Sequence, residues 1–243
     1  MSRSVPTDGS DEAELPGYRS RNPDPRRRGF MSRNLHERIQ SATAQAIAAH
    51  GYEATTVEDI CAEAEISQEA FYEHFKGKQE AAMSALETSV DQVMLELRET
   101  FNAASTWPEA IWDTTDAALD WMAHEPAFAR LALVEMLSAG EAALELLQSL
   151  MDAFGMFLEP GYEMVPEKAP SRRLTDETVA NSIFGLLHEH IVRESAESFE
   201  VLLPEMVRRI VTPFLGAEQA SAFVAQRSAR GGRRSGGGLE DQR

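Results

Sequence analysis

Apolar positions along the chain recur at steps of three and four almost throughout, the period of helices that each bury one face. Leu35, Ile39, Ala42, Ala46 and Ala49 form the first stripe and predict a helix over about residues 31–49, with Gly51 as its stop. A short helix begins at Thr56, which precedes Asp59 at capping-box spacing, and turns Ile60, Cys61 and Ala64 inward. A second short helix begins at Ser67, buries Ala70, Phe71 and Phe75, and is broken by Gly77. Met83, Leu86, Val90, Met94, Leu97 and Phe101 then mark one long helix over about 79–103. At 1.5 Å rise per residue it is a rod of roughly 35 Å.

The second half repeats this pattern. Pro108 opens a helix whose inner side is Ile111, Trp112, Thr115, Ala118, Leu119 and Met122. Pro126, Gly140 and the "EPG" run delimit helices over 127–139 and about 141–158. Residues 160–173 hold three prolines and read as a loop. Thr175 caps a helix over 176–195, with Val179, Ile183, Leu187 and Ile191 inward. Pro204 stands in the first turn of the next, whose stripe is Leu203, Val207, Ile210, Val211 and Phe214, and "AEQASAFVAQ" adds a short last helix. Strand-like alternation is not sustained anywhere, so the pattern predicts an all-α chain of nine or ten helices. Residues 1–30 and 226–243 lack apolar stripes, are rich in Ser, Gly, Pro or Arg, and are expected to be disordered.

Charge changes the picture. The chain has 243 residues and a net charge of -17, from 40 acidic against 23 basic residues. Binding to nucleic acid must then rest on a local basic patch. One cysteine excludes an intramolecular disulfide and any multi-cysteine metal site. The apolar runs fall short of a membrane span and the N-terminus has no signal-peptide core, which fits a cytoplasmic protein.

The two short helices, Thr56–Ala64 and Ser67–Phe75, are nearly contiguous and follow a longer amphipathic one. This is a helix-turn-helix arrangement, whose second short helix would enter a major groove, although tight helix pairs also occur as plain scaffold. The segment "GYEATTVEDICAEAEISQEAFYEHFKGKQE" closely resembles the DNA-binding segment of the TetR family of repressors. Thr55, Thr56, Ile60, Ala64, Ile66, Ser67, Phe71, Tyr72, His74, Phe75 and Lys78 match that family's pattern in order and spacing, within a resemblance over about residues 35–85.

The resemblance implies a three-helix DNA-binding domain over 31–80 and a helical effector-binding and dimerisation domain over 81–225. The arm, 1–30, and the tail, 226–243, would flank them. Thr56 would offer its hydroxyl and a helix N-terminus to phosphate, Tyr72 its phenol, and Lys78 its ammonium. His74 would face phosphate or a base edge. Ser67 and Gln68 would lie where base edges are reached, and Gln can bond adenine twice. Arg33 would reach phosphate or the adjacent minor groove. The protein would be a homodimer through helices near 176–195 and 200–215, suited to a palindromic operator on double-stranded DNA. It would be a ligand-responsive regulator, a repressor released by a small apolar effector.

Three departures from the pattern stand out. Glu65 occupies a turn position that is normally Gly, where a side chain at positive φ costs about 1 kcal/mol. Glu69 stands near the start of the reading helix, where it either accepts from a cytosine amino group or repels DNA. Residues 31–88 carry only Arg33, Arg38, Lys76 and Lys78 against ten acids. The arm answers part of this, with seven arginines against Asp24 and Glu37 over residues 19–38. If the reading head has lost its hold on DNA, the alternative is a helical dimer acting through ligand or protein contacts.

The second half is rich in aromatic and methionine side chains. Met94, Phe101, Trp112, Trp121, Met122, Phe128, Met151, Phe154 and Phe184 are core residues that double as candidates for an adaptable apolar pocket. No catalytic constellation appears. His188 and His190 are two apart and point to different helix faces, which does not make a zinc motif. A phosphate-binding Gly-rich loop is absent, and no metal or cofactor is expected.

Overall fold

The computed structural model describes residues 25–138, 140–165, 171–193 and 199–235. Every regular element among them is helical: α1 Pro25–His50, α2 Val57–Glu63, α3 Gln68–Tyr72, α4 Lys78–Ala103, α5 Trp107–His124, α6 Pro126–Leu133, α7 Glu141–Tyr162, α8 Arg172–Val192, α9 Leu203–Leu215 and α10 Ala217–Ser235. Short 3-10 turns, Glu135–Ser138 and Phe199–Leu202, precede α7 and α9. The all-α expectation and the helix count hold.

The stripes mostly face as their spacing predicts. Ile39, Ala42 and Ala46 of α1 are buried, whereas Ala49 is exposed and Ile47 takes its place inside. In α9 all five expected residues are buried, with Met206 beside them. One large core gathers α5, α8 and α9 around Trp107, Leu119, Ile183, Val207 and Phe214. A smaller cluster joins Ala44 and Ile47 of α1 and Tyr52 to Ala82, Ala85 and Leu86 of α4, and to Leu131 of α6 and Met136. This second cluster seats α1 and the turn after it against the long fourth helix. A buried amide adds to it: Gln40 Nε2 donates to the Ser84 carbonyl and to the Ser84 and Thr88 hydroxyls at 2.9–3.0 Å.

Several boundaries differ from expectation. Helix α1 starts at Pro25, whose fixed φ suits a first turn, rather than near residue 31. Helix α6 stops at Leu133 and the chain tightens into the 3-10 turn instead of running to 139. Helix α7 continues through Pro160 to Tyr162. A proline here lacks the N–H owed to the Met156 carbonyl, but the next carbonyl, Phe157, accepts the buried Trp107 indole N–H at 2.8 Å. Helix α8 begins at Arg172, so Thr175 is a buried helical residue and not the cap. Helix α10 is the largest difference, running to Ser235 where a tail was expected from 226. Its Ala220 and Val224 are buried, Phe223 meets Trp112 edge-on, and Arg227 pairs with Asp113 of α5 while lying over the Trp112 ring. Residues 1–24 of the arm and 236–243 of the tail lie outside the described residues.

Candidate functional site

The reading head is built from caps and one buried aromatic pair. At the start of α2 the Asp59 backbone N–H donates to the Thr56 hydroxyl at 3.2 Å, and the Asp59 carboxylate accepts from the Thr56 N–H and hydroxyl at 2.8 and 2.7 Å. The expected capping box is therefore present. These bonds hold the Asp59 carboxyl below its usual range. They also commit the Thr56 hydroxyl proton to an anion, so a phosphate at Thr56 competes with Asp59 for it.

The turn into α3 is closed by two bonds. Ile66 N–H reaches the Cys61 carbonyl at 2.9 Å and Glu65 N–H the Ala62 carbonyl at 3.2 Å. This Schellman pattern requires a left-handed residue, and Glu65 adopts φ 53°. The strained glutamate expected there is real. Ser67 then caps α3, its hydroxyl accepting from Ala70 N–H at 3.2 Å. The helix is shorter than expected because it tightens at its end, where His74 and Phe75 N–H both reach the Phe71 carbonyl.

Phe71 is fully buried, Phe75 nearly so, and their rings meet at 5.8 Å. With that face fixed inward, Ser67, Gln68, Glu69 and Tyr72 are left exposed on the other. Tyr72 is 55% exposed and stands edge-on to Phe71. His74 is half-buried and tilted on Phe75. Glu80 turns back to accept the Lys76 N–H, so its charge is used at the entry to α4. Lys78 is engaged within the chain. Its ammonium donates to the Tyr52 carbonyl, and to that of Glu53 at 3.3 Å, and lies 4.5 Å over the Tyr52 ring. The Arg33 side chain lies outside the described residues.

The pocket candidates are only partly brought together. Met94, Phe101, Met122 and Phe154 pack against the large core that holds Trp112. Phe128 sits on the smaller cluster, Trp121 is half-buried on α5, and Phe184 stacks on His188. Met151 has its side chain outside the described residues. A groove of about 410 Å³ does open between α4 and α7, lined by Val90, Asp91, Met94, Leu95, Arg98, Leu146, Ser149, Leu150 and Ala153. Of the nine candidates, Met94 lines it. Leu146, Leu150 and Ala153 were missed, although their 4-and-3 spacing on α7 was the signal. A second groove of about 470 Å³ between α7 and α8 is polar, with Arg173, Asp176, Glu177 and Asn181 on its walls. Among the described residues no His, Cys, Asp and Glu cluster could hold a metal ion, and no helix is long and apolar enough to cross a membrane.

The class defined here is an all-helical fold, among the described residues, with a helix-turn-helix head. Residues 39–80 match the family model of bacterial regulatory proteins, tetR family. No curated protein matches the chain. Among solved structures it is similar to the fatty acid degradation regulator FadR from Bacillus halodurans, at TM-score 0.66 and 17% identity over 72% of this chain and 94% of that one. It is also similar to FadR from Bacillus subtilis in complex with stearoyl-CoA, at TM-score 0.64 and 16% identity over 72% and 97% of the two chains. A third is SmeT, the repressor of the Stenotrophomonas maltophilia multidrug efflux pump SmeDEF, at TM-score 0.61 and 17% identity over 74% and 89%. The matched family model and these similar structures are of transcriptional regulators.

Proposed function

We propose that this chain is a sequence-specific DNA-binding repressor, released from its operator by a small amphipathic effector with an apolar chain. The observation that carries the reading is the split of α3, whose Phe71 side is locked into the core while Ser67, Gln68, Glu69 and Tyr72 face outward from the helix-turn-helix. Gln68 and Ser67 would address base edges, and Tyr72, Thr56, His74 and Arg33 the backbone. Lys78 would serve by fixing the turn before α2 more than by meeting phosphate.

The effector would enter the α4–α7 groove, its chain against Met94, Leu146 and Leu150 and an anionic end toward Arg98. A fatty acyl thioester of coenzyme A is the first probe to try, since the similar Bacillus subtilis protein holds stearoyl-CoA. Two copies paired through helices near 176–195 and 200–215 would present two heads to a palindromic operator. The apolar face of α9 is already used within one chain, so the pairing would draw on its polar face and on α8, where Leu174 is exposed.

The test is a gel shift with upstream genomic DNA, followed by titration with stearoyl-CoA at fixed salt. Release should weaken DNA affinity by about 5–150-fold; an unchanged affinity with ligand bound refutes induction. One observation favours a second reading, a helical dimer that acts without specific DNA binding. Lys78 is spent on carbonyls while Glu69 and Glu73 are exposed beside the reading helix. Absence of any shift at low salt, with the arginine arm intact, selects that reading.

A further inference from the structure

The turn between α1 and α2 is gripped from two sides by groups outside it. The Glu135 carboxylate, its side chain only 12% exposed, accepts the Tyr52 backbone N–H at 2.9 Å through Oε2. Its other oxygen, Oε1, lies 3.3 Å from Arg130 Nε as an ion pair; that Nε is buried and the pair lacks hydrogen-bond alignment. From the opposite side the Lys78 ammonium takes the Tyr52 carbonyl. Both polar backbone groups of a single residue are thus held by side chains 83 and 26 positions away. Tyr52 also belongs to the small cluster that includes Leu86 of α4 and Leu131 of α6.

The two grips lead to the two walls of the apolar groove. Lys78 is the first residue of α4, and Glu135 stands in the 3-10 turn that leads into α7. Met94 and Val90 on α4 face Leu146, Leu150 and Ala153 on α7 across the groove. A body seated there acts on helices whose near ends hold Tyr52.

We propose that Glu135 is a positioning residue that couples occupation of the α4–α7 groove to the placement of α2 and α3, with Arg130 keeping its carboxylate in register. The proposal rests on the groove being the effector site and goes beyond it by naming the joint. The chemistry is directional: a carboxylate on a main-chain donor inside a mostly apolar cluster is a strong hold, a carboxamide can replace its acceptor oxygen, and an alkyl group cannot.

The test is amide hydrogen exchange on the full chain, free of DNA and ligand. Glu135→Leu should speed exchange across residues 52–72 by about tenfold, the loss expected for a bond to a charged acceptor, while α9 peptides stay unchanged. Glu135→Gln should remain within about twofold of the native chain because the acceptor survives. Ala153→Trp, filling the groove as a surrogate effector, should speed exchange in the head of the native chain and add nothing in Glu135→Leu. Should faster α9 exchange show that Ala153→Trp disturbs the whole fold, the milder Leu150→Phe makes the same comparison. An unmoved head in Glu135→Leu overturns the proposal. So does a filler that leaves the native head unmoved, or one that acts equally in both backgrounds. Since no DNA is present, failure of DNA binding leaves this result standing, and an uncoupled head leaves DNA binding standing.

Discussion

Glu65 offers a direct measure of what the helix-turn-helix geometry costs this chain. The Schellman closure between α2 and α3 imposes φ 53° on an exposed side chain. Holding an L residue there costs about 1–2 kcal/mol. Glycine removes that cost but frees the unfolded chain by about 0.4–1 kcal/mol. At the centre of these ranges the difference makes Glu65→Gly more stable by about 0.8 kcal/mol. For a chain of this size that raises Tm by about 1–4 °C. Glu65→Ala is the control, because it loses the same charge and keeps the strained backbone. Thermal unfolding followed by far-ultraviolet circular dichroism compares the two. Glu65→Gly no more stable than Glu65→Ala would refute the strain argument.

Three other perturbations follow from the geometry. A Cβ on Gly161 would lie 2.6 and 2.8 Å from Trp107 ring atoms and 3.0 Å from the Phe214 ring, so Gly161→Ala should destabilise by about 1–3 kcal/mol despite its better helix propensity, read by denaturant midpoint. Burial and its bond to Asp176 push the Tyr162 hydroxyl up to about 12; the unfolded chain ionises first, so stability is lost as pH rises from about 10 through 12, and Tyr162→Phe should flatten that loss in pH-dependent unfolding. Glu69→Ala removes an exposed anion from the reading helix and should tighten DNA binding by about 2–5-fold at low salt, less at high salt. Reduced selectivity would show that Glu69 discriminates bases, and unchanged selectivity that it only repels.

The head was legible because its signals are local. Thr56 and Ser67 announce their helices by cap chemistry, and Ile60, Phe71 and Phe75 by spacing, and each took its expected place. The elements that misled are those in which a distant contact overrides a local sign. Pro160 reads as a stop, yet α7 passes through it where the Trp107 indole bonds the Phe157 carbonyl. The glycine- and arginine-rich stretch after 226 reads as a tail, yet α10 continues into it, with Arg227 tied to Asp113 at 114 residues' separation. Motif spacing likewise gives no sign that the Lys78 ammonium donates to the Tyr52 carbonyl. The groove shares this difficulty: Met94 and Leu150 are each ordinary stripe residues, and only the packing of α4 beside α7 makes them one wall-to-wall site.

The central claim, that the head reads a specific DNA sequence, is tested most directly by selecting bound duplexes from a random pool with the full chain at low salt. The account predicts enrichment of a palindrome whose half-sites lie about one helical turn, or a multiple of it, apart, as two heads related by a two-fold axis require. Retention of DNA without enrichment of any sequence, or no retention at all, would contradict it.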